Sequence, residues 1–300
     1  MRFSTKFFKF LLLTMLMAAL GLTAFGQKQK SKNDLLKELS VLLKSNTPED
    51  DAKSYVIAKE YISRFGEEKD ENTTKVKKFA EDYRQSSFLK AVDAKKIADA
   101  ESFGKEILAV QPENTAVVIN LAYAAFNATA AGDKAYAPMV VTYSKRAIEL
   151  IEAGKLPPNF SPFTAKDDTL AWLNYFNASA LQSTDLKSAA GYMWKATKYE
   201  SNIRKTIEPF FFVAYYYEQV YEKLTKENAD KARIEKCVDL MLDAYARSVR
   251  MAETTKDPKL NEAKSRFEQI YKFRKGTDQL MKEFIDITLS APMPDPTSFN

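Results

Sequence analysis

The chain has 300 residues, of which 45 are basic and 40 acidic, and 45% are hydrophobic, enough for a packed core. It contains no histidine and a single cysteine, Cys237. These counts exclude histidine-dependent catalytic triads, histidine-ligated zinc or haem, and an intrachain disulfide. The 8 glycines are too scattered after Gly26 for a glycine-rich phosphate-binding loop. We therefore expect no cofactor and a protein that is not an enzyme.

The first 26 residues have the pattern of a secretory signal peptide. A basic start is followed by an uncharged apolar stretch over 10–22, and the small residues Ala24 and Gly26 precede a cleavage site. The apolar stretch is short for a membrane span, and no later segment is long and apolar enough to be one. The pattern predicts a signal peptide over 1–26 and export to the bacterial periplasm or the medium, with an uncleaved N-terminal anchor as the alternative.

Residues 27–32 contain three lysines, and we expect them to form a flexible basic tail. Removal of residues 1–26 removes three basic residues and no acidic one, which leaves a net charge of +2. Nucleic-acid binding would require a basic face on a folded element, so we expect no nucleic-acid partner.

Apolar residues recur at spacings of three and four through the rest of the chain, and strand-like alternation is scarce. Thr47 before Pro48 is typical of a helix start, and Gly66 and Pro112 are typical of helix ends. The pattern predicts helices over residues 33–45, 48–65, 73–92, 94–110, 115–131, 134–153, 168–182, 185–200, 207–225, 229–253, 259–274 and 277–289.

Two proline-containing segments interrupt or follow these helices. Residues 155–166 are predicted to form a loop, and residues 291–300 a disordered C-terminal tail. Gly191 lies inside a predicted helix, so alanine there is expected to stabilise the fold, unless close packing of a neighbour requires glycine.

Several short patterns recur along the helices. Asn120-Leu121-Ala122 follows Pro112 and a helix start, and small residues recur where two helices would have to approach closely, at Ala147, Ala189 and Ala196. These patterns resemble the tetratricopeptide repeat (TPR) family, best over residues 94–200. The resemblance implies an all-α, TPR-like α-solenoid of antiparallel helix pairs over residues 33–290, which would present a concave binding surface.

The sequence also departs from that family. Asn120 and Asn174 occupy matching positions but lie 54 residues apart, whereas the family repeats every ~34 residues. Phe176 stands where the family has a small residue. The repeats are therefore degenerate, and an unrelated helical bundle is the alternative.

Asparagines on the predicted helices are the candidate binding residues. Helical spacing places Asn120, Tyr123 and Asn127 on one stripe, and Asn174 and Asn177 fall at the matching repeat positions. In TPR proteins the first helix of each pair lines the groove, and an asparagine there holds a peptide backbone, because a carboxamide donates and accepts hydrogen bonds. The alternative is that these residues are solvated and bind nothing.

Six aromatic residues at 210–217 surround one predicted helix, which is typical of a buried helix, with a ligand-stacking platform as the alternative. We expect Phe211 and Tyr215 to pack inward and Tyr216 to reach solvent. Cys237, among apolar neighbours, is expected to be buried.

The resulting functional hypothesis is an exported TPR-like scaffold or adaptor that binds a protein or peptide partner in a concave groove. Two alternatives stay open: a glycan- or small-molecule-binding envelope protein, and a carboxylate-based enzyme on a helical-repeat scaffold.

Overall fold

A computed structural model of the protein describes residues 29–45 and 47–299. This part of the chain is all-helical, without strands, and its helices pack in neighbouring pairs. In chain order they are α1 Lys32–Leu42, α2 Pro48–Phe65, α3 Glu71–Asp93, α4 Ile97–Val110, α5 Thr115–Ala130, α6 Ala137–Glu152, α7 Lys166–Leu181, α8 Leu186–Ala196, α9 Glu208–Lys226, α10 Lys231–Thr255, α11 Leu260–Lys275 and α12 Met281–Leu289. The predicted signal peptide lies outside the described residues.

The predicted all-α class is confirmed, and the helix bounds lie close to the predicted ones. Thr47 caps α2 by accepting a hydrogen bond from the Asp50 backbone, with Pro48 in the first turn. Gly276 ends α11 with a φ of 71°, a left-handed conformation that glycine adopts without strain. Local chemistry at the helix ends thus decides where most helices begin and end.

The predicted single helical domain divides into two compact units at Tyr83 and Arg84, inside α3. In the first unit Tyr61 is fully buried and its hydroxyl lies 3.1 Å from that of Thr73. Tyr55 stacks on Tyr83 with ring centroids 4.6 Å apart. These contacts join α2 to the first half of α3.

The predicted flexible tail over 27–32 is wrong for the residues that the structure describes. Lys32 begins α1 and donates hydrogen bonds to Glu68, at 2.5 Å, and to Asp70, at 2.6 Å. The bond from Lys32, followed by that from the Thr73 backbone, lowers the pKa of Asp70 to about 2. The lysines at this end have acidic partners on the folded unit, which the local charge pattern does not reveal.

In the second unit, consecutive helices from α4 to α12 share apolar cores. Ala147, Ala189 and Ala196 are fully buried, as their small size at close helix contacts predicts. Cys237 is also fully buried, as expected, and burial raises the pKa of its thiol to about 12. The pairwise packing is consistent with the expected TPR-like arrangement, which stays a prediction.

The C-terminal segment is packed on the helices, so the predicted disordered tail over 291–300 is wrong for residues 291–299. We call residues 290–299 the strap. Met293, Pro296 and Phe299 of the strap are buried, and the Phe299 ring contacts Tyr217 edge-on at 6.1 Å. A sequence rich in proline and polar residues suggested disorder, but Met293, Pro296 and Phe299 are buried in the folded protein.

Hydrogen bonds hold the strap to α8 and α10. The Trp194 indole donates to the Met293 carbonyl at 2.8 Å, and Arg247 donates to the Ala291 carbonyl at 2.8 Å. Thr297 lies against Gly191, where an added Cβ would be 2.5 Å from the Thr297 methyl group. Gly191 is therefore the exception that the sequence left open, a glycine required by a close neighbour.

Candidate functional site

The predicted binding stripe does not form an open groove. Asn174 is only 2% exposed, and its side chain donates to the Leu170 carbonyl of its own helix at 2.7 Å. Asn120 is half-buried and donates in the same way to Ala116 at 2.9 Å. The expectation that Asn174 faces a groove is thus corrected, because α7 lies between α5, α6 and α8 and has little free surface.

The other two asparagines of the predicted stripe, Asn127 and Asn177, differ in burial. Asn177 is 0% exposed, and neither atom of its carboxamide has a hydrogen-bond partner in the described part of the chain. Asn127 on α5 is half-buried. Asn177 is therefore inaccessible to a peptide in this structure, and the predicted stripe is divided between buried and half-buried positions.

Aromatic residues fill the space between α5 and α7. The ring of Tyr123 meets that of Phe163 edge-on at 6.1 Å, and Phe126 stacks on Phe176 at 4.0 Å. Phe163 comes from the loop over 153–165, here called the proline loop, and its ring lies 6.0 Å from that of Phe176. The inserted loop thus closes the face that the sequence predicts to bind.

Two cavities open instead along α9. The first, of about 260 Å³, lies between α7 and α9 and is lined by Tyr175, Ser179, Gln182, Met193, Glu208, Phe211, Phe212, Tyr215 and Lys259. Aromatic rings form part of its wall, and Tyr215 is 43% exposed. The polar groups of Gln182 and Glu208 lie among these rings, so the cavity can take an apolar group and hydrogen-bond to a polar group next to it.

The second cavity, of about 360 Å³, lies between α9 and α11. It is lined by Glu218, Tyr221, Glu222, Val238, Met241, Arg266, Gln269, Ile270 and Phe273. Phe273 is 68% exposed and meets Tyr221 edge-on at 6.3 Å. We call the surface formed by the two cavities on α7, α9 and α11 the aromatic face.

Tyr245 of α10 contacts a lining residue of each cavity. Its ring meets Phe211 of the first cavity edge-on at 5.6 Å, and its hydroxyl donates to Glu218 of the second at 2.8 Å. Burial, and then the bond to Glu218, raise the pKa of Tyr245, which favours the protonated hydroxyl that donates this bond. Arg266 lies 4.0 Å from the same carboxylate. These contacts hold the Glu218 carboxylate in place.

The predicted exposure of two tyrosines on α9 is wrong, because Tyr215 was expected to be buried and Tyr216 to be exposed. Tyr216 is buried, and Tyr215 is the one that reaches solvent. Spacing places the two on different sides of α9, but aromatic residues occur all round the helix and do not show which side faces solvent. The side that carries Phe211, Phe212 and Tyr215 lines the first cavity.

Neither a metal centre nor a membrane span is found in residues 29–45 and 47–299. These residues contain no cluster of three or more potential metal-ligating acids, histidines or cysteines. No helix in them has both the length and the apolar character needed to cross a bilayer.

Comparison with known proteins gives no family assignment: no protein-family model, curated protein or solved structure matches the chain.

Proposed function

We propose that the protein is an exported scaffold or adaptor of TPR-like helix pairs that binds a protein or peptide partner on the aromatic face. The observation that carries the proposal is the pair of cavities along α9. One opens between α7 and α9, and the other between α9 and α11. Each of these helices is the first helix of a pair, the helix that lines the binding surface in the proteins that the sequence resembles.

The chemistry of the aromatic face suits an extended or helical peptide. Tyr215 and Phe273 offer rigid apolar surface at low entropic cost, as anchoring residues of interfaces do. Gln182, Gln269 and Glu222 add hydrogen-bonding groups between the rings. Each cavity has the size of one or two side chains, so a peptide with apolar residues at regular spacing would fill both.

What supports export is the N-terminal sequence alone: the basic start, the apolar stretch and the small residues before Gln27. An exported chain without a disulfide depends on packing for its stability. The partner would then lie in the same envelope compartment.

The test is selection of peptides from a random phage-displayed library on the full-length protein, followed by measurement of the affinity of the selected peptides. Tyr215→Ala and Phe273→Ala should each weaken binding roughly tenfold or more. Leu89→Ala and Val110→Ala remove exposed apolar residues elsewhere in the same unit and serve as matched controls. Selected peptides that bind all four variants as tightly as the unchanged protein would place the site elsewhere.

A second candidate, binding of a glycan or small molecule, is favoured by the aromatic walls of the cavity between α7 and α9. A panel of soluble oligosaccharides in a thermal-shift assay separates the two. Stabilisation by a sugar that is lost in Phe212→Ala, together with a library that yields no peptide, would replace the peptide proposal with this one.

A further inference from the structure

A separate cavity of about 760 Å³ lies between the strap and the helices that it covers. Its lining includes Lys198, Arg204, Lys205, Phe210, Arg247 and Met293. None of these residues lines the two cavities of the aromatic face. Its volume lies within the range of small-molecule sites, roughly 300–1,000 Å³.

One wall of this cavity is held in place by Arg247, which is only 6% exposed. Its guanidinium binds the Asp243 carboxylate through two nitrogens, at 2.8 and 3.2 Å, and also donates to the carbonyls of Thr288 and Ala291, both at 2.8 Å. Trp194 fixes the strap a little farther on through the Met293 carbonyl. The wall is therefore preorganised by buried hydrogen bonds.

Positive charge exceeds negative charge around the cavity. Arg204 pairs with Glu200, and Arg247 pairs with Asp243. Lys198 and Lys205 form no ion pair within the described part of the chain, and Asp295 is the acid whose charge acts on Lys198. Two ammonium groups at the cavity thus remain without a close counter-charge.

Lys198 is exposed overall, but its ammonium group lies near other cations of the cavity. Partial burial lowers the pKa of this ammonium group, and the nearby charge of Arg247 lowers it further, outweighing the opposite effect of Asp295. The ammonium lies 4.3 Å from the centroid of the Trp194 ring, a contact that offsets part of this cost. A negatively charged group bound beside Lys198 would remove the repulsion.

Apolar residues form another part of the lining. Phe210 and Met293 are nearly buried, and Met251, Leu289 and Pro292 extend the same surface. A small inorganic anion would contact the cations and leave this surface exposed to water. The combination requires a ligand with both characters.

We propose that this cavity binds an amphiphilic organic anion, a molecule with a carboxylate or phosphate head and an apolar body. The head lies between Lys198, Lys205 and Arg204, and the body covers Phe210, Met251 and Met293. The site is independent of the peptide-binding proposal, because the two surfaces share no residue.

The test is titration calorimetry of the full-length protein with four probes: octyl phosphate, octanoate, octanol and inorganic phosphate. At least one of the two amphiphilic anions should bind roughly tenfold or more tightly than both octanol and inorganic phosphate. Which of the two binds identifies the head group. Equal affinity for octanol, equal affinity for inorganic phosphate, or no binding of either amphiphilic anion would overturn the proposal.

Charge variants locate the site. Lys198→Gln combined with Lys205→Gln should weaken binding of the preferred anion roughly tenfold or more while the melting temperature stays unchanged. Lys231→Gln combined with Lys236→Gln removes the same amount of charge near the start of α10, about 16 Å or more along the helix from Arg247. This control should have no effect on binding. An equal loss in both double variants would show attraction by overall charge and contradict a defined site. Tyr215→Ala should bind the anion normally.

Discussion

Two surfaces of the second unit place aromatic residues between successive odd-numbered helices, and only one of them is open. Between α5 and α7 the rings of Tyr123, Phe163 and Phe176 contact one another and exclude a ligand. Between α7, α9 and α11 rings of the same kind line two cavities. The difference arises from the connecting segment, because the proline loop supplies Phe163 to the first surface.

The comparison teaches that connections between helices decide which face of such a protein is available. The strap covers part of α8 and α10, as the proline loop covers part of α5 and α7. Both segments contain several prolines and a few large apolar residues, and both cover helices. The aromatic face is the surface that neither segment closes.

The largest expected effect is on the closed surface. Phe176 is 1% exposed and contacts four aromatic rings, so Phe176→Ala should lower the free energy of unfolding by about 3–5 kcal/mol. Denaturant unfolding measures this. Phe273→Ala on the open surface is the matched control and should cost under about 0.5 kcal/mol. Similar costs for the two variants would remove the distinction between the surfaces.

The strap should depend on one buried cation. Arg247→Ala leaves Asp243, the Ala291 carbonyl of the strap and the Thr288 carbonyl of α12 without their donor, and should cost about 3 kcal/mol. Arg204→Ala removes an exposed arginine that is also paired four residues away, and should cost under about 1 kcal/mol. Limited proteolysis should cut the strap of the first variant faster. A strap equally resistant in both would show that Arg247 does not hold it.

Opening the closed surface is the next smaller effect. Phe163→Ala should destabilise by about 1–2 kcal/mol, less than Phe176→Ala because Phe163 is only half-buried. It should also expose Tyr123 and Phe176 to solvent. Increased oxidation of these two rings by hydroxyl radicals measures the opening, and unchanged oxidation would mean that the loop does not cover them.

These three predictions rest on tertiary contacts that the sequence does not contain locally. Helix ends follow from neighbouring residues, such as Thr47 with Pro48 and Gly276, and were predictable. The orientation of a stripe was not, because α7 is packed on most sides with weak apolar periodicity and aromatic residues occur all round α9. Hence Asn174 and Asn177 are buried, and Tyr215 rather than Tyr216 reaches solvent.

The site itself was predictable in type more than in place. Aromatic residues over 210–217 marked α9 as a candidate, and the resemblance pointed to the first helix of each pair. Nothing near Phe163 or Met293 in sequence indicates which helices these residues cover. Long-range packing of that kind requires the folded structure.

A smaller effect on stability is expected at Gly191, where helix propensity favours alanine but the contact with Thr297 favours glycine. Gly191→Ala should destabilise by about 1 kcal/mol, because its Cβ would overlap the methyl group of Thr297, whose hydroxyl is held by Asp295. In a Thr297→Ala background the same change should stabilise by about 0.4–1 kcal/mol. Thermal unfolding of the four proteins in this cycle gives both values. Stabilisation in the unchanged background would show that the strap does not pack on α8.

The most direct test of the account is hydroxyl-radical footprinting of the full-length protein, with and without a peptide selected on it. The account predicts rapid oxidation of Tyr215 and Phe273, slow oxidation of Phe176, and protection of Tyr215 and Phe273 when the peptide is bound. Oxidation of Phe176 as fast as that of Phe273, or a bound peptide that protects neither Tyr215 nor Phe273, would contradict it.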